Sequence, residues 1–374
     1  MQRRADPGMI LFFDQYPYIG GGQRILLDIA EAVRGQSCAF CIPPGGPLEA
    51  EIKRRFPDAR ILDATPPDMT HRRKGVTDMV RLIGYTILGI VRHRVAARRA
   101  TLLYANGGRQ FPLVLALSLL SGTRAIYHLH LDHSRMEKKI ITFASRFRVT
   151  YRIVAISEFV RARIATVLPP AGVRKLALVE NALSIQFSSR PFRERFFGIP
   201  LRQMAIAGTI RPEKGQDQAI EIARDHPDLH LHILGTVGLG AEKWAADLRR
   251  SAPINVTFHG AVADVGEAFD RLGIQVSLVP SQWQEPFGLI AIESMALSCI
   301  TVVQNSGALP DIAARTSAIL CRDTQSMTRE IGRLKGMTDV ELSSIAKKQF
   351  SATQDCYAPK RFMTEIYSVM KGPL

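Results

Sequence analysis

The sequence predicts an α/β protein of two domains, each built on a parallel β-sheet with helices on both faces. Short apolar runs of strand length alternate with longer helix-like stretches in two separate series, a pattern typical of such sheets. The length of 374 residues exceeds the roughly 250–300 residues that one hydrophobic core serves, so two domains are expected. A hydrophobic content of 46% with 22% charged residues is that of a globular chain rather than a disordered one.

The first series begins with an apolar run at residues 9–13, which predicts a strand. A glycine run at 20–22 and a helix at 23–33 follow it. Further strands of this series, with helices between them, are predicted at residues 37–42, 59–62, 102–105, 125–129 and 152–156.

The second series begins after residue 200 and repeats the alternation. Its strands are predicted at residues 204–207, 229–234, 255–258, 276–278, 301–303 and 317–320. Its helices are predicted at residues 217–223, 265–272, 288–297 and 311–314, with terminal helices at 341–354 and 360–370. Residues 183–200, which contain Pro191 and Pro200, predict the connection between the domains. We therefore place the first domain at 1–190, the second at 191–355 and a last helical segment at 356–374.

The net positive charge of the chain arises from its first half. Residues 1–190 contain 29 Lys and Arg against 14 Asp and Glu, a difference of +15, whereas residues 191–374 contain 20 of each. A first half with this net positive charge predicts an anionic partner, which is a membrane surface, an acidic acceptor or nucleic acid. The basic clusters contain few of the aromatic residues that stack on single-stranded nucleic acid, so we expect no nucleic acid. These clusters lie at 53–55, 72–74, 92–99 and 138–139.

The apolar segments are too short for a membrane span or a secretory leader. The longest runs, at 82–91 and 111–120, have about half of the ~18 residues that a span needs. The apolar run near the N-terminus stops at Asp14. The five cysteines are odd in number and widely spread, which fits reduced thiols. We therefore expect a cytoplasmic chain.

Two glutamates, Glu285 and Glu293, flank the most informative segment of the chain. Glu285 follows a predicted strand, and Glu293 falls inside the helix after it. Between them, Phe287, Gly288 and Leu289 place backbone N–H groups at a helix N-terminus. Such a terminus binds anions because its first amides are unpaired and its dipole is positive. An anion site between two hydroxyl-binding carboxylates suits a nucleotide-sugar, with one glutamate for the sugar, the amides for the diphosphate and the other glutamate for the ribose.

The block from Pro280 to Leu289 contains Glu285, and seven residues separate Glu285 from Glu293. This pattern resembles the signature of GT-B glycosyltransferases of family 4, which are also called glycosyl transferases group 1. This resemblance implies two Rossmann-like domains that face each other across a cleft. We assign the second domain to the donor, and the first domain, because it is basic, to the acceptor and the membrane. The resemblance also implies that the last helix crosses back onto the first domain.

The activity that the resemblance implies is a retaining transfer of a hexose from a nucleoside-diphosphate sugar to a hydroxyl of a glycan or glycolipid. Cell-surface polysaccharide biosynthesis is the expected setting. The donor is a substrate, and neither a metal nor a cofactor is expected. The expected partners are the donor, a glycan or lipid-linked acceptor and an anionic membrane, which the basic domain contacts from the cytoplasmic side. Glu285 is the expected catalytic contact to the sugar and Glu293 the contact to the ribose.

Two further loops resemble family positions. Gly21 and Gly22, after the first strand, resemble a glycine pair that lies near the donor phosphates. Lys214 matches a family lysine and can stabilise the departing diphosphate. The position of a family arginine holds Thr209, so Arg211 either supplies that phosphate contact or is a surface cation.

His128 and His130 lie two residues apart on a predicted strand, so their side chains point to the same face. Family members often carry one histidine at the end of this strand, in contact with the donor sugar. We assign that catalytic role to His130, with His128 as the reserve and as a candidate acceptor contact beside Asn106. A histidine satisfied within the core is the competing interpretation of each. With His133 the pair suggests zinc, but no cysteine or second acidic cluster lies nearby in sequence.

Two other functions fit parts of the sequence. One is a GT-B-shaped nucleotide-sugar epimerase, which a carboxylate-rich first domain would favour, and this first domain is basic. The other is a non-catalytic nucleic-acid-binding protein, which charge alone suggests. The sequence contains neither an Asp-x-Asp motif nor a GxxxxGK[ST] phosphate loop, which argues against a metal-dependent GT-A transferase and a P-loop enzyme.

Overall fold

The computed structural model describes residues 8–66 and 76–372. The chain divides into two compact units, one made of the residues up to Glu180 together with those from Phe362 onward, and the other of Asn181–Arg361. The basic cluster at 72–74 lies outside the described residues.

The first unit is built on a parallel sheet, which has seven strands within the described residues. Its order is β3-β2-β1-β4-β5-β6-β7. These strands are Met9–Phe13 (β1), Cys38–Ile42 (β2), Arg60–Asp63 (β3), Ala100–Ala105 (β4), Arg124–Leu129 (β5), Thr150–Ala155 (β6) and Leu176–Leu178 (β7). The helices between them are Gly21–Ala32 (α1), Pro47–Arg55 (α2), Val76–Arg99 (α3), Phe111–Ser121 (α4), Arg135–Ala144 (α5), Glu158–Ala165 (α6) and Pro170–Val173 (α7).

The second unit is built on a six-stranded parallel sheet in the order β10-β9-β8-β11-β12-β13. These strands are Gln203–Ala207 (β8), His230–Leu234 (β9), Val256–Gly260 (β10), Val276–Val279 (β11), Ile300–Gln304 (β12) and Ile319–Cys321 (β13). The helices are Ile185–Ser188 (α8), Gln216–Asp225 (α9), Glu242–Ser251 (α10), Val265–Arg271 (α11), Leu289–Ala296 (α12), Leu309–Thr316 (α13), Thr324–Lys335 (α14), Asp339–Cys356 (α15) and Pro359–Lys371 (α16). Most of α16, from Phe362 onward, belongs to the first unit.

The central strands are buried on both faces, which is why they appear as short continuous apolar runs in the sequence. Residues 10–13 of β1 are exposed by 2% or less. The helices begin and end where local chemistry allows it. Ser134 and Glu137 form a capping box at the start of α5, and α4 ends at Gly122 with a φ of 72°. The predicted pair of parallel-sheet, Rossmann-like domains is confirmed.

The division between the units falls after residue 180, whereas the sequence placed it after residue 190. Residues 181–200 are tied to the second unit: the Leu183 amide donates to the Tyr357 carbonyl at 3.0 Å, and Arg190 and Arg195 both pair with Asp270, at 2.9 and 2.6 Å. The proline-containing stretch is therefore packed structure rather than a free connection. The second unit also extends beyond residue 355, to Arg361.

The sequence did not predict β7, α10 or α14. β7 has three residues and lies at a sheet edge, so its apolar signal is weak. Among the described residues, no helix is both long and apolar enough to cross a membrane.

Candidate active site

The strand order of each sheet places one crevice at its carboxyl edge. In the second unit the chain moves outward from β8 in one direction and then from β11 in the other. The loops that follow these two neighbouring strands therefore diverge, and ligands of parallel α/β sheets bind at such a point. In the first unit β1 and β4 hold the corresponding position. Most of the predicted site residues follow these strands, whereas His128 and His130 lie at the end of β5, the strand next to β4.

Glu285 is the centre of the second-unit cluster. Its side chain is buried, with 9% exposed, and its Oε2 atom accepts three hydrogen bonds. The donors are the Lys214 ammonium at 2.8 Å, the Ser281 hydroxyl at 2.9 Å and the Trp283 indole N–H at 3.0 Å. Lys214 also lies 5.3 Å from the centre of the Trp283 ring. The carboxylate is therefore held in place through one oxygen.

The loops after β8 and β11 are joined by a close backbone approach. The Gln282 amide donates to the Glu213 carbonyl at 2.9 Å. Gly215 has a φ of +75°, and a Cβ atom there would lie 2.1 Å from the Pro280 carbonyl oxygen. Only glycine fits a position that is left-handed and in contact with another backbone. This contact sets the distance between Lys214 and Glu285.

Replacing Gly215 with alanine should destabilise the second unit by about 2–4 kcal/mol, because a left-handed alanine is strained and its methyl group overlaps the Pro280 carbonyl. Gly273 is the matched control: its φ is +63°, but a Cβ there meets nothing within 4 Å. Gly273→Ala should therefore cost only about 1 kcal/mol. Urea unfolding followed by tryptophan fluorescence reports this unit, since Trp244 and Trp283 both lie in it. Equal urea midpoints for the two variants would contradict the proposed contact.

The N-terminus of α12 presents free backbone amides beside Glu285. Gly288 has a φ of +101° and is the N-cap of this eight-residue helix. Within residues 8–66 and 76–372, no protein acceptor is found for the amides of Phe287, Gly288 or Leu289. Glu293 lies one turn further along α12 and is 8% exposed. This arrangement can bind an anion at the helix start.

Phe287 and Arg211 occupy different environments. Phe287 is 3% exposed and packs edge-on against Tyr357, with ring centres 5.8 Å apart. Arg211 is partly exposed and lies 3.6 Å from Glu213. Gln216 holds the Arg211 segment, because its side chain accepts from the Arg211 amide and donates to the Thr209 carbonyl. Phe287 therefore anchors the loop through its ring, and Arg211 is the more accessible cation.

The first unit contains a second cluster, which is centred on the buried Asp14. The Asp14 carboxylate accepts from the side-chain amide of Gln23 at 2.9 Å, from that of Asn106 at 2.6 Å and from the main-chain amides of Gln15 and Tyr16. Burial raises the pKa of Asp14, while the bonds from Asn106, Tyr16, Gln23 and Gln15 lower it. This carboxylate binds together the ends of β1 and β4 and the first turn of α1.

His130 extends this cluster by one hydrogen bond. Its Nε2 atom lies 2.7 Å from the Asn106 Oδ1 atom. The Asn106 amide nitrogen already donates to Asp14 and to the Gly22 carbonyl, so its oxygen accepts and His130 Nε2 carries the proton. Burial, with His133 nearby, lowers the pKa of His130 to about 3. The imidazole is therefore neutral, with Nδ1 as its acceptor.

The remaining predicted residues of the first unit lie around His130. Its ring centre lies 4.1 Å from that of His128. His128 is fully buried and bonded through Nδ1 to the Tyr104 hydroxyl at 2.9 Å, so it is a core side chain rather than an exposed contact. α1 begins at Gly21, and a Cβ at Gly22 would lie 3.7 Å from the His130 ring.

Sequence reasoning missed the residues that orient these groups. In the second unit these are Ser281, Trp283 and Gln216, and in the first they are Asp14 and Gln23. Ser281 and Trp283 lie inside the block from Pro280 to Leu289, which could have marked them. Asp14 ends an apolar strand directly before the glycine loop, which is the only signal it gives. Among the described residues, no group of three His, Cys, Asp or Glu side chains is arranged to hold a metal ion, and the expected independence from metal stays a prediction.

A known family profile matches part of the chain. Residues 200–335, all within the second unit, match the sequence profile of the family described as Glycosyl transferases group 1. This range contains the whole second-unit cluster. No curated protein sequence matches the chain.

Solved structures match over nearly the whole chain. HepE from Anabaena, in complex with UDP and glucose, has a TM-score of 0.80 at 16% identity over 98% of this chain and 100% of its own. The sucrose-phosphate synthase of Thermosynechococcus elongatus gives 0.77 at 14% identity over 97% and 98%. A TarM variant from S. aureus, in complex with fondaparinux, α-GlcNAc-glycerol and UDP, gives 0.73 at 11% identity over 98% and 100%. The fold is GT-B. At these identities the likeness concerns the GT-B architecture, as the sequence predicted.

Proposed function

We propose that the protein is a glycosyltransferase, which moves a sugar from a nucleoside-diphosphate sugar to a hydroxyl of a glycan or lipid-linked glycan. The observation that carries this proposal is the second-unit cluster. A fixed carboxylate at Glu285, free amides at the start of α12 and a second carboxylate at Glu293 follow one another along a single loop and helix. The same residues fall inside the segment that matches the glycosyl transferase profile.

Each group has a chemical task in this proposal. The amides of Phe287, Gly288 and Leu289 bind the diphosphate, because the helix dipole and unpaired N–H groups favour an anion. Glu293, one turn along, accepts hydrogen bonds from the ribose hydroxyls. Glu285 is anchored through Oε2, so its Oε1 atom can accept from sugar hydroxyls and fix the anomeric carbon.

Lys214 balances charge during the reaction. Its ammonium neutralises Glu285 at 2.8 Å, and its side chain stays 30% exposed, so it can also approach a phosphate oxygen. Negative charge develops on the departing diphosphate as the sugar acquires oxocarbenium character. Lys214 and the α12 amides together stabilise that charge, which is the task that a metal ion has in other transferases. Arg211 is the accessible cation that supplements them, in place of an arginine at Thr209.

The first unit contributes a neutral histidine. His130 donates from Nε2 to Asn106, which leaves Nδ1 to accept a hydrogen bond from a sugar hydroxyl of the substrate. Gly22 lies beside the imidazole without a side chain, so a ligand can approach the backbone there. Asn106 is the positioning residue of this contact rather than a direct one.

The known structures support the same donor and acceptor classes. HepE was solved with UDP and glucose and TarM with UDP and a GlcNAc-glycerol. We propose a hexose donor, retention of anomeric configuration and family 4 membership on the resemblance of the segment 280–293. A role in cell-surface polysaccharide synthesis, at the cytoplasmic face of an anionic membrane, is consistent with the excess of 15 positive charges in residues 1–190.

Donor binding tests this proposal directly. Purified protein is titrated with UDP-, GDP- and ADP-sugars while its thermal unfolding is followed, and one nucleotide class should raise the unfolding temperature. Glu293→Ala should weaken binding of that donor by about 10- to 150-fold, because hydrogen bonds to a charged group contribute about 1.5–3 kcal/mol. Glu330→Ala, on α14 of the same unit, is the matched control and should bind as the native protein does. Full binding by the Glu293 variant would show that the ribose lies elsewhere, and no stabilisation by any donor would refute the proposal.

A further inference from the structure

The outward face of α3 is apolar along most of its length. Seven large hydrophobic side chains of this helix are between 49% and 62% exposed. They are Met79, Val80, Ile83, Ile87, Leu88, Val91 and Val95. Isolated exposed hydrophobic residues are normal on a protein surface, but a contiguous group of this size marks an interaction site.

These side chains form one stripe because of their spacing. Val80, Ile83, Ile87, Val91 and Val95 follow one another at intervals of three or four residues, which places them on one side of a helix. We call this group of five residues the α3 stripe. It is separate from the side of α3 that packs on the unit itself.

The opposite side of α3 is already packed. Leu82, His93 and Ala97 are 6%, 4% and 0% exposed. Gly89 lies against Leu113 of α4, and a Cβ atom added at Gly89 would lie 2.7 Å from the Leu113 side chain. The fold therefore does not use the α3 stripe to hold the helix in place.

Arginines accompany the stripe. Arg81, Arg92, Arg94, Arg98 and Arg99 are all exposed, and the one acidic residue of α3, Asp78, is 2% exposed. At 100° per residue, Arg94 and Arg98 continue the stripe toward the C-terminal end of the helix. Arg81, Arg92 and Arg99 lie along one flank. The face thus combines an apolar centre with a basic edge.

The apolar surface continues on the neighbouring helices. Leu120 of α4 is 60% exposed and lines the same surface hollow as Arg94 and Arg98. Leu119, at 43% exposure, lines the groove between α4 and α5 with Phe143, which is 52% exposed. The surface of the first unit is therefore apolar beyond a single helix.

A lipid surface fits these features better than a second copy of the chain. A two-fold dimer brings the patch onto the same patch of a second copy, which has no exposed acidic residue of α3 to pair with the arginines. Anionic headgroups instead meet arginine with opposite charge, while the apolar side chains enter the acyl boundary. α3 does not qualify as a membrane span, and with 24 residues it is about 36 Å long.

We propose that α3 is an interfacial membrane helix that lies in the plane of an anionic bilayer, with the α3 stripe in the acyl boundary and its arginines at the phosphates. The whole surface belongs to the first unit, so the proposal is independent of the donor site in the second unit.

Vesicle flotation of the full chain tests this proposal. The native protein should float with phosphatidylcholine vesicles that contain about one-third phosphatidylglycerol, and less so with pure phosphatidylcholine or at high salt. The triple variant Ile83→Gln, Ile87→Gln and Val91→Gln should partition at least about tenfold more weakly. Replacing Arg94 and Arg98 with glutamine should weaken partitioning about fivefold for each arginine removed.

The second unit offers a matched control for surface polarity. Leu239, Ile254 and Val340 are 73%, 101% and 62% exposed, so replacing all three with glutamine removes similar apolar surface elsewhere. This control variant should float like the native protein, and both triple variants should keep the native unfolding temperature. Donor binding, measured in parallel, should be the same in all of them.

A depth measurement provides the second readout. The two tryptophans of the chain both lie in the second unit, so Ile87→Trp introduces one on the stripe. Its emission should shift to the blue and be quenched by brominated lipids, whereas the control Ile254→Trp should show neither effect. Flotation of the stripe variant at the native level, or no quenching at position 87, would overturn the proposal. A native dimer that the stripe variant converts to a monomer, without vesicle binding, would assign this face to a second copy of the chain instead.

Discussion

Glu285→Gln is expected to lower the kcat for sugar transfer by about 10²–10³-fold, which is the size of effect seen when one preorganised electrostatic contact is removed from a transition state. The substitution keeps the shape of the side chain but leaves Lys214 without the carboxylate that it contacts at 2.8 Å. It also weakens the bonds from Ser281 and Trp283. The sugar then loses a fixed acceptor at the point where its hydroxyls must be oriented.

The binding constant for the free nucleotide should stay nearly unchanged in this variant. In the proposed site the nucleotide is held by the α12 amides and by Glu293, which do not depend on Glu285, and by Lys214, which keeps its ammonium charge in this variant. Steady-state kinetics together with nucleotide titration therefore separate the two glutamates, because Glu285→Gln acts on kcat and Glu293→Ala acts on binding.

Glu213 offers the matched control for charge near the site. It lies on the loop of Lys214, its side chain is 48% exposed, and its ion-pair partner is Arg211 at 3.6 Å. Glu213→Gln should leave kcat within about twofold of the native value, as expected for an exposed ion pair. Equal losses in the Glu213 and Glu285 variants would show that general electrostatics, rather than the fixed carboxylate, supports the reaction.

The repeated alternation of strands and helices was predictable because parallel strands are buried on both faces. Their apolar runs are continuous, so they survive in the sequence as a signal that needs no long-range information. A three-residue edge strand such as β7 lacks that signal. The segment 280–293 was predictable for a related reason, since its groups follow one another along the chain.

The orientation of site residues was less predictable because it depends on contacts between distant segments. Asp14 and Asn106 are 92 residues apart in sequence and 2.6 Å apart in the fold. Neither the strand pattern nor the glycine run indicates that bond. The α3 stripe illustrates another limit: the run at 82–91 is apolar, but its periodicity does not show which side of the helix the fold covers.

Asp14→Asn is expected to move the proton of the His130 imidazole from Nε2 to Nδ1. In the native protein the Asp14 carboxylate accepts from Asn106, and this fixes the Asn106 amide so that its oxygen faces His130 Nε2. An asparagine at position 14 offers one acceptor oxygen and one amide group. If the side-chain oxygen of this asparagine accepts from the Gln15 and Tyr16 amides, as the Asp14 carboxylate does, its side-chain NH2 group faces the side-chain NH2 group of Asn106.

Two facing donors are unfavourable in a buried site, so Asn106 should turn its amide in the Asp14→Asn variant and give up its 3.1 Å bond to the Gly22 carbonyl. Its nitrogen then faces His130 Nε2, which must become the acceptor. The imidazole proton moves to Nδ1, and the atom that accepted a sugar hydroxyl becomes a donor. We expect kcat to fall by about 10²-fold or more, because a correctly placed imidazole in the wrong tautomer loses its role.

Stability should respond to pH in a different way in this variant. Because burial raises the pKa of Asp14, the native protein binds this proton more tightly than the unfolded chain does. The free energy of unfolding of the native protein therefore contains a component that decreases as pH rises from the unfolded pKa to the native pKa. Asp14→Asn removes the titrating group, so its unfolding free energy should lack that component.

Nitrogen NMR of the histidine rings distinguishes a change of tautomer from a loss of structure. The native spectrum should show His130 protonated at Nε2, and the Asp14→Asn spectrum should show it protonated at Nδ1. Asp28→Asn is the control, since Asp28 lies on α1 of the same unit and burial raises its pKa to about 6, and it should keep both the native spectrum and the native rate. An Asp14 variant that loses activity while His130 stays protonated at Nε2 would show that Asp14 acts by holding the loops together, because only a change of tautomer links the carboxylate to the imidazole through Asn106.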